Sequence, residues 1–576
     1  NAATSTLIYN NTTGPYGPID GSHPYWPASN GPQNVNVLGA GGINLAVART
    51  VGGLFQYAAG VSGAGNLTLN GTVQVNNGGF TSGSPTYGSS SLLRYNTGGT
   101  YGRNGEWLPN TTSGAGYPAN VQLGNNTTLD LANGSPNTPF QLAGSLTIDA
   151  GSTMQLAGST PLTQPLTILG AVNIDGTLTL STQLGGDLNV GGNWTRNATT
   201  GSFVANNRAV NFNGTSQQTI QAGTSPAQEN FGYLVINNPA GVKLLSFANV
   251  LASVGDACQL LNGTLDLNGN TLTLSGAGGN LKINGARTIG NTNASVATVQ
   301  VNGAKIVSPT APTDTLLFDT KVNVSLGAAL DFGANVSTIN AALVIQANGS
   351  VNTHAPIYAN GSALFYLAGG TYGRSTEWTS DTSATFPAAG YPHNVGIGNG
   401  TTLNMGANGG TATSFVANGQ LSVGNLSTFS LADTPMTAPV TFKGGISLTG
   451  GTITLSTSAG GDLKTQGDFA ISSGTFNANN RAVFFEGGAA QQNISNLTGP
   501  TTLPYVVINK SAGTVRLSNT DLTALAPTGG NSLAFQTAAS TLTLNGRTLT
   551  LGGTLASVAG SGLVGGTNGD TLILND

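Results

Sequence analysis

The chain has 576 residues and a formal net charge of −4, and only 7% of its residues are charged, against roughly a quarter in an average soluble protein. Its 17 basic residues are scattered along the whole length, which argues against a nucleic-acid partner, because such a partner requires a dense basic face. No apolar run approaches the roughly 18 residues that a membrane-spanning helix needs. The composition therefore favours a charge-poor protein without a transmembrane segment.

A long internal repeat organises the chain. The motif Gly-Gly-Thr-Tyr-Gly-Arg at 98–103 returns at 369–374, and Ala-Asn-Asn-Arg-Ala-Val at 205–210 returns at 478–483. The copies are roughly 270 residues apart, and long duplications of this kind are typical of arrays rather than of a single catalytic centre.

The N-terminal part carries a shortened third copy. Tyr9 is followed by Pro-Gln-Asn-Val at 32–35, as Tyr95 is followed by Pro-Ala-Asn-Val at 118–121. The sequence therefore predicts one partial and two full repeats, at 1–91, 92–362 and 363–576.

Alternation of apolar and polar residues predicts short strands, because a period of two places one set of side chains inward. Triplets such as Leu-Thr-Ile recur at steps of roughly 20 to 24 residues, a spacing typical of parallel β-solenoids. The triplets begin at Leu146, Leu166, Leu188, Val210 and Leu234, and again at Leu421, Val440, Leu463, Val483 and Val506.

The predicted fold class is therefore all-β, with a parallel β-solenoid (β-helix) as the architecture. Stacked β-sandwich domains are the alternative, since short strands with Asn-Gly corners also suit them. The segment 265–274, Leu-Asp-Leu-Asn-Gly-Asn-Thr-Leu-Thr-Leu, is one place where an Asn-Gly hairpin would fit.

Three short motifs carry a resemblance to known proteins. They are Phe-Asn-Gly-Thr-Ser-Gln-Gln-Thr-Ile at 212–220, Leu-Val-Ile-Asn-Asn at 234–238 and Gly-Val-Lys-Leu at 241–244. In these the chain resembles the large Gly/Asn/Thr-rich repeat proteins exported to the surface of Bacteroidota. More loosely, it is similar to filamentous-haemagglutinin-type adhesins. The resemblance implies an extracellular β-rich fibre or adhesin.

The few charges, the abundance of Asn, Thr and Gly, and the start of the chain also fit an extracellular, cell-surface location. The chain opens at Asn1 without Met or a signal peptide, which is expected of a processed, exported product. Its single cysteine, Cys258, excludes an internal disulfide, and its apolar neighbours predict a small buried side chain rather than a reactive thiol.

One charged cluster recurs at close spacing in both full repeats: Arg103, Glu106 and Trp107, with counterparts Arg374, Glu377 and Trp378. One interpretation is a glycan-binding patch in which Trp stacks on a sugar while Arg and Glu bind its hydroxyls. The structural alternative is an Arg–Glu pair and an anchoring Trp that hold a long loop against the solenoid. The partial repeat keeps a Trp without the Arg and Glu, which favours loop anchoring.

Other function classes have weaker support. The β-helix polysaccharide lyases and hydrolases need clustered carboxylates, and Asp149 and Asp175 lie about one turn apart but have no acidic counterparts in the second repeat. The three histidines share no metal-ligand spacing. We therefore expect no enzyme activity, no metal and no cofactor. Thr-x-Thr pairs such as Thr177/Thr179 leave ice binding as a further alternative.

Both ends of the chain have strand patterns without a polar cap: Leu7, Ile8 and Tyr9, and Leu572, Ile573 and Leu574. Open edges invite pairing with another strand, so we predict that the chain is its own partner in a head-to-tail homopolymer. The predicted function is a structural subunit of a cell-surface fibre or filament. A glycan-binding adhesin is the main alternative, followed by a polysaccharide lyase or hydrolase and an ice-binding protein.

Overall fold

The computed structural model consists of short strands joined by tight corners. It describes residues 4–197, 199–223, 228–526, 530–565 and 569–575. The chain divides into two compact units, Asn1–Ala297 and Thr298–Asp576. The boundary lies inside the predicted first full repeat, and the repeat boundaries at 91/92 and 362/363 stay a prediction about the sequence.

The first unit contains one 3-10 helix, Ala64–Asn66, among its described residues. Its strands are β1 (Thr6–Tyr9), β2 (Tyr16–Ile19), β3 (Asn34–Val37), β4 (Ile43–Leu45), β5 (Arg49–Val51), β6 (Phe55–Tyr57), β7 (Gly60–Ser62), β8 (Leu67–Leu69), β9 (Thr72–Asn76), β10 (Phe80–Ser82), β11 (Thr86–Tyr87), β12 (Leu92–Asn96), β13 (Thr100–Gly102), β14 (Asn120–Leu123), β15 (Thr128–Asp130), β16 (Phe140–Leu142), β17 (Leu146–Ile148), β18 (Thr153–Gln155), β19 (Leu166–Ile168), β20 (Val172–Ile174), β21 (Thr177–Thr179), β22 (Leu188–Val190), β23 (Trp194–Arg196), β24 (Ser202–Val204), β25 (Ala209–Phe212), β26 (Gln218–Ala222), β27 (Gln228–Phe231), β28 (Tyr233–Asn237), β29 (Val242–Leu244), β30 (Phe247–Val250), β31 (Cys258–Asn262), β32 (Thr264–Asp266), β33 (Thr271–Leu274), β34 (Asn280–Ile283) and β35 (Ala286–Gly290).

The described strands of the second unit are β36 (Thr298–Val301), β37 (Ala304–Pro309), β38 (Thr315–Phe318), β39 (Lys321–Val324), β40 (Ala329–Asp331), β41 (Ser337–Ile339), β42 (Ala342–Gln346), β43 (Ser350–Val351), β44 (Ile357–Tyr358), β45 (Ala363–Leu367), β46 (Gly370–Gly373), β47 (Asn394–Ile397), β48 (Thr401–Asn404), β49 (Val416–Ala417), β50 (Leu421–Gly424), β51 (Thr428–Ser430), β52 (Val440–Phe442), β53 (Ile446–Thr454), β54 (Leu463–Thr465), β55 (Phe469–Asn477), β56 (Ala482–Gly487), β57 (Gln491–Asn496), β58 (Thr501–Leu503), β59 (Tyr505–Lys510), β60 (Thr514–Leu517), β61 (Leu522–Leu525), β62 (Asn531–Phe535), β63 (Thr541–Thr543), β64 (Thr548–Gly552), β65 (Thr554–Ala556), β66 (Gly562–Val564) and β67 (Thr571–Leu574).

Strands of successive turns pair side by side in parallel register. Leu166 of β19 pairs with Leu188 of β22, which pairs with Val210 of β25, and all three side chains point into the core. Between Phe140 and Phe212 each turn contributes one strand to each of three sheets, ordered β16-β19-β22-β25, β17-β20-β23 and β18-β21-β24. Stacked turns of this kind bury apolar side chains that no single turn could cover. The predicted parallel β-solenoid is confirmed.

The register corrects two details of the sequence analysis. Leu146 does not stack with Leu166, because β17 belongs to the next sheet, where Leu146 pairs with Val121 and Val172. Identical alternation serves every sheet, so the triplet pattern alone cannot assign a strand to one of them. The corresponding triplet at Leu421 likewise lies outside the sheet that contains β52, β54, β56 and β59.

The Asn-Gly hairpin considered at 265–274 does not form. Strand β32 pairs with β29 and β35, whereas β33 pairs with β30, so the two strands lie in different sheets. The corner between them has positive φ at Asn268 (49°) and Gly269 (79°), which Asn and Gly tolerate better than other residues. The same dipeptide therefore turns a solenoid corner instead of closing a hairpin.

Asp187 and Asp462, which each follow a Gly-Gly pair, accept hydrogen bonds from backbone N–H groups. Asp187 Oδ1 accepts a hydrogen bond from the Ala209 N–H, and Asp462 Oδ1 accepts one from the Ala482 N–H, both at 2.8 Å. Each donor lies one turn further along the chain, so these carboxylates connect neighbouring turns.

Candidate functional site

A buried carboxylate stands inside each repeated loop. Glu377 is fully buried, and its Oε1 accepts hydrogen bonds from the Ser375 N–H at 2.9 Å and the Tyr366 hydroxyl at 3.0 Å. Glu106 occupies the same setting and accepts a hydrogen bond from the Tyr95 hydroxyl at 3.2 Å. Burial raises the pKa of both carboxyl groups, because desolvation penalises the charged form.

The arginine of each loop binds backbone carbonyls of its own loop and of the next turn. Arg374 Nε donates to the Met405 carbonyl at 3.1 Å, and its Nη1 donates to the Trp378 carbonyl at 2.8 Å. Arg103 Nε makes the equivalent bond to the Leu131 carbonyl at 2.9 Å. Both arginine residues are more than nine-tenths buried, so their donors are used to hold the loop.

The structural hypothesis for this cluster needs one correction. Arg103 and Glu106 do not form an ion pair within 4.0 Å, nor do Arg374 and Glu377; neither pair is among the ion pairs of the described residues. The arginines donate mainly to backbone carbonyls, whereas Oε1 of each glutamate accepts hydrogen bonds from a tyrosine hydroxyl and a backbone N–H group. Close spacing in sequence placed the two charges in one loop without pairing them.

The tryptophans lie in the interior. Trp107 and Trp378 are both 0% exposed, and their indole N–H groups donate to the carbonyls of Gln141 and Val416, each at 2.9 Å. Trp26 of the partial repeat is also 0% exposed. A stacking platform needs a ring face open to solvent, which none of these indoles has. The glycan-patch interpretation therefore fails at these residues, and their contacts favour loop anchoring.

The predicted terminal strands are present as β1 and β67. Among the described strands, β1 pairs only with β3, and β67 pairs only with β64. Tyr9 is buried, whereas Ile8 is exposed by 55%. Each strand therefore has one backbone edge without a partner strand in the part of the chain that the structure describes.

The carboxylates weighed for catalysis lie on adjacent turns, since Ile148 and Ile174, the residues before Asp149 and Asp175, are register partners. Asp149 accepts two hydrogen bonds from the Gln122 amide, at 3.0 and 2.8 Å. Within the described ranges, no group of three or more His, Cys, Asp or Glu side chains is placed to hold a metal ion.

The remaining sequence candidates are dispersed or buried. The Thr-x-Thr pairs of β21, β33 and β64 belong to three different sheets, so they do not form one threonine ladder. Cys258 is fully buried, and burial raises the pKa of its thiol to about 12, as expected of a small core side chain.

Sequence reasoning missed a polar groove on the outer face of the second unit. Thr441 of β52, Lys464 of β54 and Phe484 of β56 are register partners on consecutive turns. Glu486 lies two residues beyond Phe484 in β56, and Lys443 lies just past the end of β52, two residues beyond Thr441. The groove beside them has a volume of about 300 Å³. The signal in the sequence was the spacing of about one turn between the two lysines.

Searches of protein families, of curated proteins and of solved structures each returned no match to this chain. The fold is thus defined by its own geometry as a parallel β-solenoid. None of the helical segments in the described ranges has the length and apolarity needed to cross a bilayer.

Proposed function

We propose that this chain is an extracellular structural protein, a subunit of a cell-surface fibre whose subunits join by β-strand pairing. The observation that supports it most directly is the open apolar core at β67. Leu549 and Leu551 of β64 are buried, whereas their register partners Leu572 and Leu574 are exposed by 46% and 69%. A further strand laid on β67 would bury these side chains and use its free backbone edge.

Strand β1 supplies a surface that suits such a strand. A groove of about 450 Å³ beside it is lined by Ile8, Tyr9, Tyr16 and Tyr25. Tyrosine rings offer large apolar contact areas with a polar tip, which fits the leucines of β67. A contact between two different surfaces is heterologous, so it propagates as a filament wherever its rotation does not close a ring.

The composition supports the same proposal. With 7% charged residues, assembly must depend on main-chain hydrogen bonds and apolar contact rather than on ion pairs. Screening by salt acts on exposed charges, so we expect the fibre to persist from low to molar salt. Dissolution of the fibre at high salt would point to an electrostatic joint and contradict the proposal.

The test is the assembly state of the 576-residue chain as its concentration rises, measured by light scattering and negative-stain microscopy. We expect filaments, and we expect Ile8→Lys and Leu574→Lys each to prevent them, because a buried lysine at the joint has no partner. Leu184→Lys is the matched control, since Leu184 is an exposed leucine away from both strand edges.

Two outcomes would contradict the proposal. The first is a chain that stays monomeric at the highest soluble concentration. The free edges of β1 and β67 would then pair with strands of other polypeptide segments and not with each other. The second is filament formation that both edge variants retain, which would place the joint elsewhere. Circular dichroism of each variant checks that the subunit itself remains folded.

A further inference from the structure

The outer faces of the two full repeats share a backbone but differ in chemistry. In the first unit, Thr167, Asn189 and Asn211 are register partners on consecutive turns. In the second unit the matching strands, β52, β54 and β56, carry Thr441, Lys464 and Phe484. Only the threonine is common to both columns.

This difference leaves one threonine hydroxyl without a partner. Thr167 Oγ1 accepts a hydrogen bond from the Asn189 amide at 3.1 Å, and Asn189 accepts one from Asn211 at 3.2 Å. Thr441 is only 5% exposed, and its Oγ1 has no hydrogen-bond partner among the residues that the structure describes. Because a buried, unpaired hydroxyl costs free energy, a ligand group that reached Thr441 from the groove would be bound favourably.

The charges of the groove are unusual for this chain. Lys464 Nζ lies 3.0 Å from Glu486 Oε1 and 4.8 Å from the centre of the Phe484 ring. Lys443 lies 5.5 Å from the Tyr391 ring centre and takes part in none of the ion pairs found among the described residues. Two lysines and one glutamate give the groove a net charge of about +1 at neutral pH.

The spacing of these groups matches the size of a sugar ring. Neighbouring turns are about 4.8 Å apart, and residues two positions along a strand are about 6.6 Å apart. Thr441 therefore lies directly beside its register partner Lys464, and Lys443 and Gln466 each lie two positions further along on these two turns. Val416 and Pro439 line the same groove and offer apolar surface to the C–H face of a ring.

We propose that this groove binds an acidic saccharide, a sugar whose ring carries a carboxylate. Lys443 would bind the carboxylate as its unpaired cation, while the Thr441 hydroxyl and the Gln466 amide would bind ring hydroxyls. Glu486 accepts hydrogen bonds and so suits a hydroxyl-bearing ligand, whereas it would repel a densely charged sulfate or phosphate. This site goes beyond the fibre proposal and does not depend on it.

The experiment is titration calorimetry of the full chain with a uronic-acid trisaccharide, with the corresponding neutral trisaccharide and with sodium sulfate. We expect binding of the uronate at least about tenfold tighter than of either other probe, a difference of about 1.4 kcal/mol. In the first full repeat the position that corresponds to Lys443 is occupied by Leu169. Lys443→Leu should therefore be tolerated by the fold, and it should weaken uronate binding by a similar factor. Lys321→Leu, on a different strand and outside the groove, is the matched control.

A second variant separates a ligand contact from a structural role. Thr441→Val removes the unpaired hydroxyl while keeping the shape of the side chain, so we expect weaker uronate binding together with an unchanged or higher melting temperature. Equal affinity for the neutral sugar, full binding by Lys443→Leu, or equally tight binding of a short glutamate peptide would each overturn the proposal. Uronate binding should weaken at high salt, whereas fibre assembly should not, so the two proposals fail independently.

Discussion

The outer faces of strands β19, β22 and β25 and of strands β52, β54 and β56 show how one backbone carries two surfaces. In the first set, Asn189 joins neighbouring turns by side-chain hydrogen bonds. In the second set, Lys464 occupies the position of that asparagine and donates a hydrogen bond to Glu486 instead. The inward residues at both places are buried and, apart from Thr465 of β54, apolar. Register therefore depends on the core, and the outward positions are free to acquire a binding function.

The interior of the two repeats should respond alike to mutation, and this is the largest effect we expect. Trp107→Ala and Trp378→Ala each remove a fully buried indole and its hydrogen bond to a backbone carbonyl. Each should lower the free energy of unfolding by about 3–5 kcal/mol, measured by urea denaturation. If only one of the two variants lost little free energy of unfolding, the two loops would not be equivalent in their contribution to stability.

The buried glutamates should give both repeats the same pH dependence. Burial raises the pKa of Glu106 and Glu377 above the ordinary 4.5, so the folded state holds a proton that the unfolded chain has already released. Their contribution to stability is therefore highest below pH 4.5 and falls as pH rises through the folded pKa.

The corresponding variants are Glu106→Gln and Glu377→Gln, which keep the shape of the side chain without the charge. We expect their melting temperatures, relative to the parent chain, to be higher at pH 7 than at pH 4.5. A relative melting temperature that does not change with pH, or that changes with the opposite sign, would contradict the direction of these shifts.

A reciprocal swap on the outer faces tests the hydrogen-bond ladder. Asn189→Lys removes the donor to Thr167 and should lower the free energy of unfolding by about 1 kcal/mol. Lys464→Asn should give the Thr441 hydroxyl a hydrogen-bond donor and raise the free energy of unfolding by a similar amount. Thermal unfolding of both variants beside the parent chain is the measurement. If both variants changed the free energy of unfolding in the same direction, the outward positions of the two sets of strands would not be interchangeable.

The smallest expected effect concerns the ion pair of the groove. Lys464 and Glu486 are part-exposed, with side-chain exposures of 26% and 16%, and exposed pairs contribute about 0–1 kcal/mol. Glu486→Gln should therefore change the free energy of unfolding by less than about 1 kcal/mol, and the change should shrink further at molar salt. A larger loss would assign the pair a structural role that the binding proposal does not include.

Much of the fold was predictable because solenoid turns repeat one local rule. The alternation at Leu166, Leu188 and Val210 predicted inward side chains, and their spacing predicted stacked turns, as the register shows. The candidate site was less accessible to this reasoning. Trp107 recurs beside charged residues, a pattern that suits either a platform or an anchor, and only its burial distinguishes the two.

The sequence by itself determined that this is an all-β chain of short strands, because periodicity and turn residues are local properties, and it favoured a parallel solenoid over stacked β-sandwich domains. Only the tertiary structure decided which strands share a sheet, as with Leu146, and which charges meet. Arg103 and Glu106 are three positions apart without pairing, whereas Lys464 and Glu486 pair across 22 residues. The physical reason is that stacking brings residues one turn apart to about 4.8 Å, a neighbourhood that chain order does not display.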